Sequence, residues 1–421
     1  MNIASLILIT ISLFIFFLGF RKNSDIFHPA RLWICLWSLV IGVTLLNLSN
    51  LQFTWFIKSW SVLLLGIIAF PLGVLVQNYR FRYHQLLPVP LEIMGLKRSG
   101  ARRAIKQVII LLFVVYIISY FIEWKIMGYL PLFEIERETG RAEWGVFGLH
   151  LLVSSIPIIL ALISEFFIGF KTSITNKLLY GTIFLIVLLT YVFLLNRLFI
   201  FMWAFMFAVQ LHYIRKKINY KHLIVFTLIL TGVFVGIGNM RATQFVGNFI
   251  YNISDMKYSK EYANLSGPYM YVVMNLENTA RGVEKLTHHA YGAITLDFIY
   301  AILQVKRPIA EYLNLDKYQY MATSLFNTFT YQWYFYWDFG LAGVILGSII
   351  WGYITGGLYY RMRIKPTLLR INMFSLTIFT VFLSFFTFLP MMLTTVYLFI
   401  LLYFVSKHID NPGTFVRKTY E

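Results

Sequence analysis

One cysteine, Cys35, occurs in 421 residues, and 18 acidic side chains stand against 36 basic ones. A single thiol excludes an intramolecular disulfide and any metal cluster built on cysteines. Charged residues make up 13% of the chain, about half of what a soluble domain carries. There is no Walker loop, no G-x-S-x-G elbow, no H-E-x-x-H pair and no C-x-x-C pair. Nothing therefore argues for a nucleotide, a metal or a covalent nucleophile. Acidic side chains are also scarce inside the apolar runs. Glu165 is the only Asp or Glu well inside a predicted span, with His150 near the other end of the same span, whereas an ion-driven transporter would show more. Met1–Phe20 lacks a basic n-region and reads as a first span rather than a cleaved signal.

What is abundant is hydrophobic residues, 59% of the chain, with 19% aromatic. Apolar runs long enough for a helix to cross a bilayer recur along it, and they are too continuous for the short alternating strands of an outer-membrane barrel. The expected fold is all-α, a polytopic membrane protein with about 11 transmembrane helices. The spans fall near 3–20, 31–48, 60–77, 107–124, 146–168, 178–195, 198–213, 223–240, 339–360, 371–388 and 391–406. Two of these boundaries come from splitting a long run. Residues 178–213 and 371–406 would each extend about 54 Å as one helix, too far for a ~30 Å hydrocarbon core. Breaks at Asn196-Arg197 and Leu389-Pro390 turn each into a hairpin.

The formal charge of +18 suggests nucleic acid until the charges are located. Lys and Arg concentrate on alternate loops, such as Arg80 to Lys106, Arg215 to Lys221 and Arg361 to Arg370. That asymmetry is the positive-inside pattern, and it implies a lipid bilayer and no nucleic acid. It places the N-terminus outside and the C-terminus in the cytoplasm. The expected organisation is an N-terminal bundle over 1–240, a large outer loop over 241–337, C-terminal spans over 338–406 and a tail over 407–421.

The loop holds 13 of the 28 tyrosines, together with Trp333 and Trp337. A near-neutral aromatic surface suits sugars, whose C–H faces stack on rings; the alternative is the aromatic belt of any membrane protein. Within the loop, Val273, Leu276, Ala280, Val283 and Leu286 follow helical spacing, with Gly292 as terminator. Glu277, Arg281 and Glu284 share one side of that helix, and Glu277–Arg281 also reads as a plain surface ion pair. His288 and His289 close it, either as a general base near neutral pH or as a cationic helix end.

Five arginines are expected at the outer boundary: Arg137 and Arg141 in EIERETGRAEWG, Arg197 on a hairpin tip, Arg241 after the eighth span and Arg281 in the loop helix. Guanidinium forks bind diphosphates bidentately and stay charged. Individually, Arg197 also reads as an interfacial anchor, and Arg137 and Arg141 can pair with the glutamates around them.

The stretch LFNTFTYQWYFYWDFGLAGVILGSIIWGYITGGLYYRM, residues 325–362, resembles the C-terminal signature of bacterial oligosaccharide repeat-unit polymerases, the Wzy-type O-antigen polymerases. Asn327, Thr328, Tyr331, Tyr336, Asp338, Phe339 and Gly340 stand in the places of its Asn/Thr/Tyr, aromatic and Asp-Phe-Gly elements. GYLPLFEIERETGRAEWGVFGL, residues 128–149, is similar to a second family pattern. Arg197 falls where related polymerases and ligases keep an outer arginine, although Asn196 replaces the usual serine before it. The resemblance implies a GT-C-like membrane glycosyltransferase of the bacterial inner membrane. It would polymerise undecaprenyl-diphosphate-linked oligosaccharide units by metal-independent inverting transfer, with a periplasmic loop and no cofactor. A chain-length regulator and a flippase would be its partners. His288 or His289 would be the base, the five arginines would hold diphosphate, and Glu277, Asn327, Tyr331, Tyr336 and Asp338 would meet sugar. Asp338 also reads as the cap of the helix that follows it. An O-antigen ligase acting on lipid A core, or a flippase without chemistry, are the alternatives.

Overall fold

The computed structural model describes residues 2–21, 24–91, 99–135, 137–225, 227, 228, 232, 236 and 246–411. In chain order the helices are α1 (Ile3–Leu18), α2 (Pro29–Thr44), α3 (Ile57–Arg80), α4 (Ser99–Met127), α5 (Arg137–Glu143), α6 (Leu149–Val153), α7 (Ile156–Gly169) and α8 (Ile174–Phe193). They continue as α9 (Leu198–Ile214), α10 (Val246–Ile253), α11 (Ser266–Lys285), α12 (Asp297–Ile302), α13 (Lys306–Tyr312), α14 (Tyr331–Ile364), α15 (Leu368–Phe382) and α16 (Leu393–Asp410). Among the described residues there is no β-strand, only an isolated bridge between Ser49 and Met256.

Among the described residues, seven helical stretches are long and apolar enough to cross a membrane: Ile57–Arg80, Gly100–Met127, Leu149–Gly169, Ile174–Phe193, Tyr331–Ile364, Leu368–Phe385 and Leu393–Asp410. Helices α1, α2 and α9 are apolar but shorter. The described residues are all-helical, with the character of a polytopic membrane protein. Helices occupy ten of the eleven expected spans. The other, 223–240, falls largely outside the described residues. Both expected hairpin breaks are present. Helix α8 stops at Phe193 and α9 starts at Leu198, with Leu195 at φ +53° between them. Two short 3-10 turns, Leu383–Phe385 and Leu389–Met391, separate α15 from α16.

The chain divides into two compact units that do not follow chain order. One comprises Met1–Gln85, Phe245–Tyr360 and Thr380–Val396; the other comprises Leu86–Gln244, Arg361–Phe379 and Tyr397–Glu421. The expected N-terminal bundle of 1–240 is thus shared between them, and the loop belongs with the first three helices.

In the first unit, the only buried side chains of α1 are Ser5 and Ser12. Each donates to a carbonyl of α2: Ser5 to Gly42 (2.6 Å) and Ser12 to Cys35 (2.7 Å). Small hydroxyl residues let the two backbones approach while the larger apolar side chains face outward. Trp33 on α2 stacks on Phe70 of α3 at 4.0 Å and donates to the Ile67 carbonyl. Helix α3 meets α14 at glycines on both sides. A Cβ on Gly73 would collide with the Ile349 carbonyl, and one on Gly352 with the Phe70 carbonyl.

Helix α14 is not one rod. Phe339 and Gly340 leave helical geometry, Gly340 with φ +62° and ψ −152°, a region open essentially to glycine alone. The chain folds back there. The Tyr331 hydroxyl bonds Ser348 at 2.9 Å, whereas a straight helix would hold residues so spaced about 25 Å apart. Gly343 and Gly347 make room for this return, since Cβ atoms on them would meet Phe335 at 2.6 Å. Gly343 and Gly347 therefore serve this fold-back, while Gly352 and Gly356 pack on α3.

Helix α11 carries the loop onto this unit. Val273, Leu276, Ala280 and Val283 are buried, as their spacing predicts, and α11 ends at Lys285. Gly292 lies beyond that end, in a separate turn at φ +97°.

In the second unit, α7 is buried along nearly its whole length among α4, α8 and α9. Trp203 donates to Ser164, and Gln210 donates to Glu165 (3.2 Å) and to Asn372 (3.0 Å). Asn372 in turn donates to Ser406. Asp410 caps α15 by accepting the N–H groups of Leu368 and Leu369.

Candidate functional site

The first unit holds His288 and His289. Ala290 donates its N–H to the Trp337 carbonyl at 2.9 Å, and Tyr291 to the Asp338 carbonyl at 3.2 Å. The Asp338 carboxylate accepts the N–H groups of Ile294 (3.1 Å) and Thr295 (2.7 Å) and has no exposed surface. Asp338 therefore does not cap its own helix, as its position before a glycine-rich span suggested. It lies within α14 just before the fold-back and fastens the 290–295 turn to it. Two N–H groups aimed at one carboxylate satisfy a buried charge that would otherwise be costly.

His289 is half-buried in this junction. Its Nδ1 lies 3.3 Å from the Trp337 carbonyl, and a carbonyl only accepts, so Nδ1 carries the hydrogen and Nε2 is left basic. The ring meets Tyr336 edge-on at 5.9 Å. A Cβ on Gly340 would lie 3.3 Å from Cε1 and Nε2, so the glycine also gives the imidazole its space. His288 differs. Its Nδ1 faces Thr287 Oγ1 at 3.1 Å and its Nε2 faces the Leu313 carbonyl at 3.2 Å. Both nitrogens are committed, so His288 serves as a tie to the 313 turn, and His289 is the one of the pair able to exchange a proton.

Tyr336 is buried beneath His289, with Lys58 Nζ 5.7 Å from its ring centre. Tyr331 has no exposed surface and packs against Trp33, Trp37 and Trp351, so it is a core residue and offers no sugar platform. Asn327 is exposed, and its carbonyl accepts from Lys317.

The charged stripe of α11 faces inward. Glu277 is 1% exposed and accepts from Trp55 Nε1 (3.1 Å) and the Phe53 N–H (3.4 Å) through the same carboxylate oxygen. Arg281 donates to the Leu51 carbonyl at 2.9 Å and lies 4.7 Å over the Phe53 ring. Glu284 accepts from the Phe56 N–H and from Ser59 Oγ at the start of α3. Together they clamp the extended segment 51–56. The surface ion-pair reading of Glu277–Arg281 is corrected accordingly, and Glu277 is a buried anchor with no face for a sugar. Burial pushes its carboxyl up to about 7, against the pull of the Trp55, Phe53 and Gln52 hydrogen bonds and of Arg281.

The second unit holds three of the arginines. Arg137 and Arg141 lie on α5, and Arg197 caps α9 with backbone helical angles; all three are half-buried. Phe133, four residues before Arg137, meets Phe193, four residues before Arg197, at 5.7 Å, so both segments lie at one end of this unit. Arg281 belongs to the other unit, and Arg241 lies outside the described residues.

Several organising residues carried no sequence signal. Asn278 donates to the Phe326 and Thr328 carbonyls and accepts the Ala322 N–H, holding the approach to α14. Glu123, at the edge of the expected 107–124 span, contacts His150. No family model, curated protein or solved structure matches the chain.

Proposed function

We propose that this chain is a GT-C-like membrane glycosyltransferase that polymerises undecaprenyl-diphosphate-linked oligosaccharide repeat units at the periplasmic face of the bacterial inner membrane. The observation that carries this reading is the presence of Arg137, Arg141 and Arg197 at one end of an apolar helical unit, on two segments that touch. A polyprenyl diphosphate keeps its chain in lipid and its headgroup at such an end. Guanidinium groups there take diphosphate oxygens bidentately and neutralise the charge that grows on the leaving group. The resemblance of residues 325–362 and 128–149 to repeat-unit polymerases supplies the reaction class. Attack by an acceptor sugar hydroxyl opposite the diphosphate inverts the anomeric centre. His289, with Nε2 basic, is the loop's proton-exchanging residue. A chain-length regulator and a flippase are the partners this activity requires.

The test is purified protein in detergent with undecaprenyl-diphosphate repeat units extracted from the host, products resolved on a gel. A ladder of glycan lengths without lipid A core supports polymerisation. Transfer only to added lipid A core makes the protein a ligase. In cells, Arg197→Ala is expected to abolish polymer at normal protein abundance, and wild-type polymer from a well-expressed variant removes Arg197 from the site.

A further inference from the structure

Another histidine, His150, in the unit that carries the three arginines, is built more tightly for proton transfer than either loop histidine. Glu123, near the carboxyl end of α4, has no exposed surface. Its carboxylate accepts the Val146 N–H at 2.7 Å and lies 3.2 Å from His150 Nδ1. A carboxylate only accepts, so Nδ1 carries the hydrogen and Nε2 is the basic atom. The His150 side chain is 35% exposed while its partner is sealed. With Nδ1 turned onto the buried carboxylate, Nε2 is the ring nitrogen that remains to take a proton.

The ring is also held in place. Trp144 contacts it edge-on at 5.5 Å. Gly145, at φ +133°, passes so close that a Cβ would lie 3.1 Å from Cγ and Nδ1. Trp144 directly follows α5, the helix of Arg137 and Arg141, and donates to the Tyr129 carbonyl. The Tyr129 hydroxyl returns to the Gly140 carbonyl within α5 at 3.0 Å. The imidazole and the arginine helix are thus built into one small structure.

We propose that Glu123 and His150 form an acid–base dyad for glycosyl transfer, with His150 Nε2 as the proton acceptor and Glu123 as its positioning residue. This rests on the transferase reading above and names the base within it. As the acceptor hydroxyl oxygen bonds to the anomeric carbon, the bond from that carbon to the phosphate oxygen breaks. The electron pair departs with the diphosphate, and the hydroxyl proton passes to Nε2. The imidazolium formed is stabilised by the Glu123 charge across the Nδ1 hydrogen bond. His289 has only the Trp337 carbonyl dipole in that position, a weaker partner for a developing cation.

The experiment measures initial rates of glycan extension by the full chain in detergent, with undecaprenyl-diphosphate repeat units from the host. His150→Ala is expected to lower kcat by about 100-fold or more, with KM for the lipid-linked donor within about threefold of wild type. Imidazole added to the buffer restores part of the lost rate, which no packing role of His150 would produce. Glu123→Gln keeps an acceptor for Val146 but removes the charge, and is expected to lower kcat about 10-fold or more. A monodisperse elution profile and an unshifted unfolding temperature identify the variants that have folded. If folded His150→Ala keeps its rate within about threefold while His289→Ala loses it, the dyad is overturned and the base lies on the loop. If the wild type transfers no glycan at all, the transferase reading falls and the dyad's role falls with it.

Discussion

Glu277 offers a stability test that depends on neither proposal. Its carboxyl is sealed between α11 and the 53–55 segment, and burial lifts it from an ordinary 4.5 to about 7. The folded protein therefore holds a proton that the unfolded chain releases in the pH window between those values. A folded-state value above the unfolded one contributes stability below pH 4.5 that is lost as pH rises through 7. At about 1.4 kcal/mol per unit, the whole interval amounts to about 3 kcal/mol. Glu277→Gln keeps the acceptor for Trp55 and Phe53 and removes the titration. The variant is expected to gain on the wild type as pH rises from 4.5 to 7, and to hold a constant lead above that. Trp55 touches the carboxylate and is one of ten tryptophans, so tryptophan fluorescence during thermal unfolding in detergent follows the unfolding of the chain with this region included. The expected divergence is several degrees across the window. A difference between the two proteins that stays flat from pH 4.5 to 8 would refute the reasoning, because a carboxyl solvated in the folded state has nothing to lose on ionising.

Two further outcomes follow from packing. Gly352→Ala places a methyl group against the Phe70 carbonyl of a neighbouring helix, where backbone cannot yield cheaply. Overpacking of this kind costs about 1–3 kcal/mol or more. Lower yield and a lower unfolding temperature are expected, and an unchanged unfolding temperature argues against the α3–α14 approach. Asp338→Asn turns an amide toward one of two N–H donors and leaves that donor unsatisfied, at a cost of about 1–3 kcal/mol. Faster amide hydrogen exchange at Ile294 and Thr295 is the expected signature, and protection equal to wild type would show that Asp338 does not hold that turn.

The arrangement of apolar helices was legible in the residues because a membrane helix needs only length and hydrophobicity, both one-dimensional properties. The hairpin breaks at Arg197 and Pro390 followed from the same arithmetic, since neither run fits a bilayer as one helix. The buried face of α11 followed from the 3.6-residue period, with Val273, Leu276, Ala280 and Val283 all inside.

Direction and company were decided only by tertiary structure. Period places Glu277, Arg281 and Glu284 on one side of a helix, but it cannot say that segment 51–56 covers that side. Asp338 precedes a glycine-rich span and invites a capping role, yet the fold-back at Gly340 hands its carboxylate to residues 294 and 295. Tyr331 belongs to an aromatic sequence suited to sugars, and the same fold-back buries it against Ser348 and three tryptophans. Glu123 and His150 are 27 residues apart, joined by no motif, and only the chain's return through α5 brings them within 3.2 Å. Hydrophobic pattern determined which segments are helices. The pairing of polar groups depends on contacts between distant segments, and those exist only once the helices have packed.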